Sequence, residues 1–342
     1  MEKINVYVPK EIENKLRSDA DLFEIQKKDG ISINMNKFLG RVIKGYYEEY
    51  ERETNDKRCS IMKAISTDKI SQNEKEQIVN TLVESLIYPS IPSRKGKNPK
   101  RLSVKPTEDT LALFENIDSD IIKGKDYISQ YFCRLFVSYC EKPFSKREQI
   151  VFKEEYSKIL EACKTKRCLK IDTKWTPGKF HYVTPYTVAV GPEDMFNYLL
   201  CAEKNKDSGE QETRSFRLNR IRGIYSASDE YYINDSTKNH LELMLKNGPA
   251  YMINSDEEIC VRLTREGLDN YRKIYFGRPK AYQPIEEKDG YYYMRFIGSE
   301  EQVFYYFRRF DGTQAVIVSP LSLKEKMLEH HHKSFEAYEH EI

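Results

Sequence analysis

Ile4, Val6 and Val8 alternate with Lys3, Asn5 and Tyr7 at the start of the chain, the two-residue period of a half-buried strand. Pro9 follows and opens a predicted helix in which Ile12, Leu16 and Phe23 form a buried stripe, ending at Gly30. Asn34 then stands as the N-cap of a second helix, along which Phe38, Leu39, Val42, Ile43, Tyr46, Tyr47 and Tyr50 recur at helical spacing.

One strand followed by two helices resembles the ribbon-helix-helix pattern. A lone strand leaves its backbone groups unpaired, so the ribbon needs a second copy, from another subunit or from this chain. Residues 98–142 echo residues 3–50: Leu102 and Val104 alternate with Arg101, Ser103 and Lys105, Pro106 follows, and two helix-like segments flank Gly124. The echo is either a diverged internal repeat or a chance similarity between helical segments. In a completed ribbon, Lys3, Asn5, Tyr7, Arg101 and Lys105 occupy the polar face from which β-ribbon readers contact bases; a pairing scaffold without nucleic-acid function has the same pattern.

Between the two strand–helix–helix units the periodicity predicts helices at about 55–66 and 72–87. The stretch YPSIPSRKGKNPKR, with six cations and no acid from Ser90 to Lys105, reads as an exposed loop or as a phosphate-contacting arm. A helix is predicted from about Lys146 to Lys164. The texture then changes to short strands (CLKIDTKW, KFHYVTPYTVAV, MFNYLLCAEK, TRSFRLNRI) separated by Pro-Gly, Gly-Pro and polar turns, the pattern of a small β-barrel. After Ser236 come a helix, the strand EEICVRL, the helix TREGLDNYRKIY, the strands YYYMRFIG and QAVIVS, and a last helix from Leu321. That is an α+β unit.

Composition narrows the function classes. The 342 residues include 56 basic and 54 acidic side chains, a charged fraction of 32% and an aromatic fraction of 12%, which describe a folded, water-soluble chain. No apolar run is long enough to cross a bilayer, and the N-terminus has no signal-peptide core, so no membrane partner and a cytoplasmic location are expected. The seven cysteines form no CxxC pair and read as small buried hydrophobes. No phosphate-binding loop, GxGxxG, HExxH or nucleophile elbow occurs. His330, His331 and His332 are consecutive on a predicted surface helix and diverge too far to hold one metal. His181 has no evident catalytic partner. No enzyme, metal or cofactor is therefore expected. The 25 tyrosines suit β-rich cores first and base-stacking surfaces second.

Charge is concentrated in TRSFRLNRIRGIY, where Arg214, Arg217, Arg220 and Arg222 fall within nine positions and no acid intervenes. From 163 to 225 there are twelve Lys/Arg and seven Asp/Glu. On one continuous strand, Arg214, Phe216, Leu218 and Arg220 share a face, with Ser215, Arg217 and Asn219 on the other. Phe216 and Leu218 would then fill a barrel and leave Arg214 and Arg220 at its rims. Arg214 and Arg220 could bind an anion there or pair with Asp172, Glu193 or Glu212, and Arg217 could be a ligand contact or a solvated strand residue.

Arg214, Phe216, Arg217, Leu218, Asn219, Arg220 and Ile221 match the R-x-F-R-L-[DN]-R-I strand of the WYL domain, and Tyr198 and Leu199 match its preceding strand. The family's Trp position is Asn197, a departure that weakens any role carried over to that residue. FRRFDGTQAVIVSPLSLKEKM resembles the C-terminal extension that follows many WYL domains. The resemblance implies a Sm-like or SH3-like barrel that binds nucleic acid or related anions. With the ribbon-like unit in front, the arrangement is similar to the WYL accessory proteins of type VI-D CRISPR systems, which assist an RNA-guided RNase and bind single-stranded RNA. The expected organisation is α+β and multidomain. A ribbon-helix-helix-like helical domain spans 1–145, a WYL barrel with a leading helix 146–235, and a C-terminal α+β extension, expected to dimerise, 236–342. The expected partners are single-stranded RNA, an RNA-guided RNase and a second copy of the chain. The expected contacts are Arg214, Arg217, Arg220, Arg222, Tyr198, His181 and Lys174, with Trp175, Tyr182, Tyr186 and Tyr225 as further stacking faces. The alternative is a dimeric transcription regulator that reads duplex DNA through the ribbon and senses an effector in the barrel.

Overall fold

The computed structural model describes residues 3–65, 70–83, 99–121 and 125–339. The predicted Pro/Gly/Ser-rich segment, apart from its end at Pro99–Arg101, and the Gly124 break lie outside these residues. The fold is mixed α and β, with eleven α-helices and three antiparallel sheets among the described residues. No described helix is long and apolar enough to cross a membrane. The chain divides into two compact units, Met1–Tyr156 and Ser157–Ile342.

The first unit opens with strand β1 (Ile4–Val8) and helix α1 (Lys10–Leu22). Helix α2 (Met35–Ala64) is capped by Asn34, whose side chain accepts from the Lys37 amide at 3.1 Å. The predicted separate helix at 55–66 is instead the continuation of α2, because residues 51–64 contain neither glycine nor proline and nothing halts the backbone ladder. Helix α3 (Gln72–Leu82) begins in a Ser71/Glu74 capping box. Strand β2 (Lys100–Val104) precedes helices α4 (Glu108–Ile121), α5 (Lys125–Glu141), α6 (Phe144–Val151) and α7 (Lys153–Thr165), the last crossing into the second unit. The single helix expected over 146–164 is broken at Phe152, whose backbone leaves the helical region (φ −114°, ψ 37°).

β1 and β2 pair antiparallel within the chain, with Val6 opposite Leu102 and Tyr7 opposite Arg101. Val6, Val8, Leu102 and Val104 are buried beneath this ribbon, which packs on α5. The strand–helix–helix echo thus supplies the second half of a two-stranded ribbon. Two features lock the helices around it. Gly45 on α2 lets the Ile150 carbonyl of α6 approach so closely that a Cβ would lie 1.9 Å from that oxygen. Asp19 on α1 takes both prongs of Arg147 (2.7 and 2.9 Å) and the Tyr139 hydroxyl (3.0 Å), all buried.

The second unit holds two sheets. Strands β3 (Leu169–Thr173), β4 (His181–Val190), β5 (Asn197–Lys204), β6 (Gln211–Arg217) and β7 (Ile221–Ser226) form the first, in the order β6-β5-β4-β3-β7. The expected closed barrel is not formed, since β6 and β7 are the two edges and share no ladder. The edge of β6 is satisfied otherwise: the Thr213 amide donates to the Asn254 side chain (2.7 Å) and Ser215 donates to the Pro249 carbonyl. TRSFRLNRI is also not one strand. It stops at Arg217, makes a single 3-10 turn over Leu218–Arg220, and restarts as β7.

Helix α8 (Asp235–Asn247) leads to the second sheet, built from β8 (Ile259–Leu263), β9 (Glu286–Lys288), β10 (Tyr291–Phe296) and β11 (Ala315–Ser319) in the order β11-β8-β10-β9. Helices α9 (Arg265–Lys273), α10 (Glu300–Phe307) and α11 (Leu321–Glu339) accompany it. Ile259, Val261, Leu263, Met294, Phe296 and Ile317 turn one sheet face into a core with Leu268, Phe304, Phe307 and Leu323.

Candidate nucleic-acid interface

The predicted residues of the five-stranded sheet fall into distinct groups, because strand pleating and the 3-10 turn send neighbouring side chains in different directions. On one face, Glu203 of β5 accepts from Arg214 Nε (2.9 Å) and meets His181 Nδ1 (2.9 Å). Glu212 adds a second carboxylate 3.2 Å from Arg214, and Asn205 donates to Glu212 at 2.6 Å. The other nitrogen of His181 lies 3.3 Å from Thr176 Oγ1, and its ring packs edge-on to Phe216 at 5.0 Å. Arg214 and His181 therefore belong to an internal polar network in which two carboxylates already neutralise the arginine.

The second group lies around the 3-10 turn that links β6 to β7. Adjacent Leu218 and Asn219 are both buried, which the continuous-strand alternation did not predict. The turn carries Arg217 over the Phe196 ring, 3.0 Å from its centroid, and Arg220 over the Trp175 ring at 5.2 Å. The Lys174 amide donates to the Arg220 carbonyl at 2.9 Å and pins the Trp175 loop to the turn. Trp175, the one tryptophan of the chain, is 70% exposed. Tyr198 is buried and its hydroxyl donates to Asp194, so it serves the core; burial pushes its phenol well up, while Arg217 and Arg220 oppose the shift. Arg222 is exposed on β7. Tyr186 is partly buried beside Leu241 and Met244 of α8.

A third group, on the outer face of the same sheet, centres on Lys170, which sequence reasoning missed. Cross-strand register sets Lys170 of β3 opposite Tyr182 of β4 on one side and Tyr225 of β7 on the other. Its ammonium stands 3.9 Å from the Phe180 centroid and 5.8 Å from that of Tyr182, and Phe180 meets Tyr225 edge-on at 6.2 Å. Tyr182 and Tyr225 are half exposed. Gly223 makes room for this arrangement, since a Cβ there would lie 3.0 Å from the Tyr225 ring. In one dimension Lys170 is only a polar position in LKIDT; its aromatic neighbours arrive from strands 12 and 55 residues away in register. Cations held against exposed aromatic faces can bind a phosphate backbone while the rings stack on bases.

The ribbon residues lie in the first unit. Asn5 and Ser103 are paired and share a hydrogen bond of 2.9 Å across the outer face, with Tyr7 and Arg101 opposite one another beside them. Lys3 and Lys105 are exposed near the ribbon's end, and both backbone groups of Lys105 bond to Asn36 of α2 (2.7 and 3.2 Å). Among the described residues no three His, Cys, Asp or Glu side chains converge as a metal site requires. His330 packs on Phe304, whereas His332 faces Glu336.

No family model and no curated protein matches the chain. Among solved structures, the crystal structure of a CRISPR Cas-related protein matches all of this chain and 95% of its own, with a TM-score of 0.69 and 22% identity. That likeness shows a shared fold over the full length. Proteasome accessory factor B/C (PafBC) of Arthrobacter aurescens matches 60% of this chain and 31% of its own at 15% identity, with a TM-score of 0.24 that bears no weight.

Proposed function

We propose that this protein binds single-stranded RNA as an accessory to the RNA-guided RNase of a type VI-D CRISPR system. The observation that carries the reading is the exposed cation–aromatic array on the five-stranded sheet: Tyr182, Lys170 and Tyr225 in register across three strands, with Arg220 and Trp175 at the 3-10 turn. Such an array favours unpaired nucleotides, whose bases can leave the stack and lie on rings. The full-length fold likeness to a CRISPR Cas-related protein and the match of Arg214–Ile221 to the WYL strand support it. On this reading the five-stranded sheet is a WYL module with an open Sm-like curl, the first unit is a single-chain ribbon-helix-helix, and the protein acts as a homodimer without catalysing a reaction. Arg217, Arg220, Arg222 and Lys174 capture the backbone, and Trp175, Tyr182 and Tyr225 stack on bases. Arg214 and His181 hold the sheet together from within.

The test is titration of labelled single-stranded RNA and of duplex DNA across a salt series, in the full chain and in Trp175→Ala and Tyr182→Ala/Tyr225→Ala variants. Single strands are expected to bind more tightly, and each lost ring to weaken binding by roughly 1–3 kcal/mol with the melting temperature unchanged. If the four cations each neutralise one phosphate, the slope of log K against log salt is about −3. Equal affinity for duplex DNA would reject the reading. Addition of the protein to the RNase is expected to raise cleavage of a reporter RNA.

The regulator reading has its own support in the ribbon. β1 and β2 pair within one chain and present Asn5, Tyr7, Arg101 and Ser103 outward, with Lys3 and Lys105 at one end. Tighter binding of duplex DNA that is lost in Arg101→Ala would establish it.

A further inference from the structure

The four-stranded sheet of the second unit has an outer face that the RNA reading leaves unused. Its element order is β8-α9-β9-β10-α10-β11 and its strand order β11-β8-β10-β9, with every neighbouring pair antiparallel. This is the split β-α-β arrangement, with β10 inserted between β8 and β9. RNA-recognition motifs are four-stranded sheets of this kind that stack bases on side chains of the sheet face.

The side chains here suit that use. The inner face is the apolar core already described, so pleating sends Tyr291, Tyr293 and Arg295 of β10 and Cys260 and Arg262 of β8 outward. Arg262 lies directly opposite Tyr293, and its guanidinium stacks diagonally over the Tyr291 ring at 4.6 Å. Arg262 has no carboxylate partner among the described residues. The face is electrostatically divided. At one end Arg295 is neutralised by Glu258 and Glu286, and Tyr282 donates to Glu258. At the other end Lys288 of β9 is exposed opposite Tyr291.

We propose that this face is a second single-stranded RNA platform, separate from the array on the five-stranded sheet. Two bases stack on Tyr291 and Tyr293. Arg262 lies between a ring and a phosphate or a further base, and the backbone passes the Tyr291 end, where Arg262 reaches the ring from β8 and Lys288 lies opposite it on β9; Glu286, opposite Tyr293, is taken up by Arg295. Uncompensated arginine beside two tyrosines is chemistry for an anion that also has flat π-faces, which a nucleotide strand supplies.

The experiment uses the full chain and a labelled oligouridylate of roughly 12 nucleotides, within the span of a small binding fold, containing 4-thiouridine for photocross-linking. Cross-links are expected on β10 as well as around Trp175. Tyr293→Ala and Tyr291→Ala should each weaken binding about tenfold, in the range for loss of one stacking ring. Tyr293→Phe should restore it, and Arg262→Ala should also flatten the salt dependence. Affinity unchanged within about twofold in all three alanine variants, with no cross-link on β10, overturns the proposal. So does a change in sedimentation of the free protein with unchanged RNA affinity, which would give the face to a second copy of the chain. The two platforms fail separately. Loss of affinity in the Tyr291 and Tyr293 variants but not in Trp175→Ala or Tyr182→Ala/Tyr225→Ala sinks the first site alone, and the reverse pattern sinks this one.

Discussion

Asp19 is a buried carboxylate in a helical unit, a placement that is costly unless every oxygen is matched. Its two oxygens receive two nitrogens of Arg147 and the Tyr139 hydroxyl, and the third Arg147 nitrogen donates to the Lys142 carbonyl at 2.7 Å. The pair ties α1 to the α5–α6 corner, 128 residues away in sequence. Replacing one partner strands the other charge, which costs far more than the pair contributes in net terms. Asp19→Ala is expected to destabilise the protein by about 3–5 kcal/mol, read as a lower urea midpoint. Asp19→Ala combined with Arg147→Met should recover part of that loss, because no orphaned charge remains.

The ribbon shows how an element divides its work between two faces. Val6 and Leu102 face each other across β1 and β2 and are buried against the helices, whereas Asn5 and Ser103 close a hydrogen bond on the outer side. Leu102→Ala should cost about 2–4 kcal/mol in chemical denaturation, through lost transfer energy and the cavity left behind. Ser103→Ala removes an exposed bond and should cost less than about 1 kcal/mol. A loss at Ser103 as large as that at Leu102 would mean that the outer face carries the fold and is not free for a ligand. The 3-10 turn is the corresponding lesson in the five-stranded sheet. Strand alternation read Leu218 and Arg220 as one face, but the turn reset the phase. Arg217 and Arg220 consequently reach different aromatic rings, those of Phe196 and Trp175.

At the scale of the whole molecule, ordinary carboxylates are already ionised above neutral pH, and buried thiols and phenols act on the alkaline side, the thiols first because their unfolded values are lower. Burial pushes the Cys133 thiol from 9.0 up to about 11 and the Cys140 thiol up to about 12. A thiol raised on folding ionises first in the unfolded chain, so the unfolded state holds fewer protons as pH rises. The stabilisation is complete below pH about 9 and is lost as pH climbs toward the folded values. Unfolding free energy should fall above pH 9, with a limiting slope of about 1.4 kcal/mol per pH unit for each thiol. The Cys133→Ala/Cys140→Ala variant should show a flatter profile between pH 8.5 and 10 in urea titrations. An identical profile would assign the alkaline loss to other groups.

Local pattern alone determined most of the strands and helices though not all their bounds, the Asn34 cap, the inward stripe of Val6, Val8, Leu102 and Val104, and the mixed α and β composition. These follow from periods of 2 and 3.6 residues and from capping chemistry, which act between near neighbours. The internal echo also marked both halves of the ribbon, although only the fold decided that they pair within one chain. Tertiary structure alone decided what the arginines do. Glu203 and Glu212 take Arg214 inward, Trp175 and Phe196 receive Arg220 and Arg217, and Lys170 finds its tyrosines on two other strands. The physical reason is range. A charged side chain on a strand is sorted by what lies across the register and over the edge, and neither the register nor the edge is set by its neighbours in sequence.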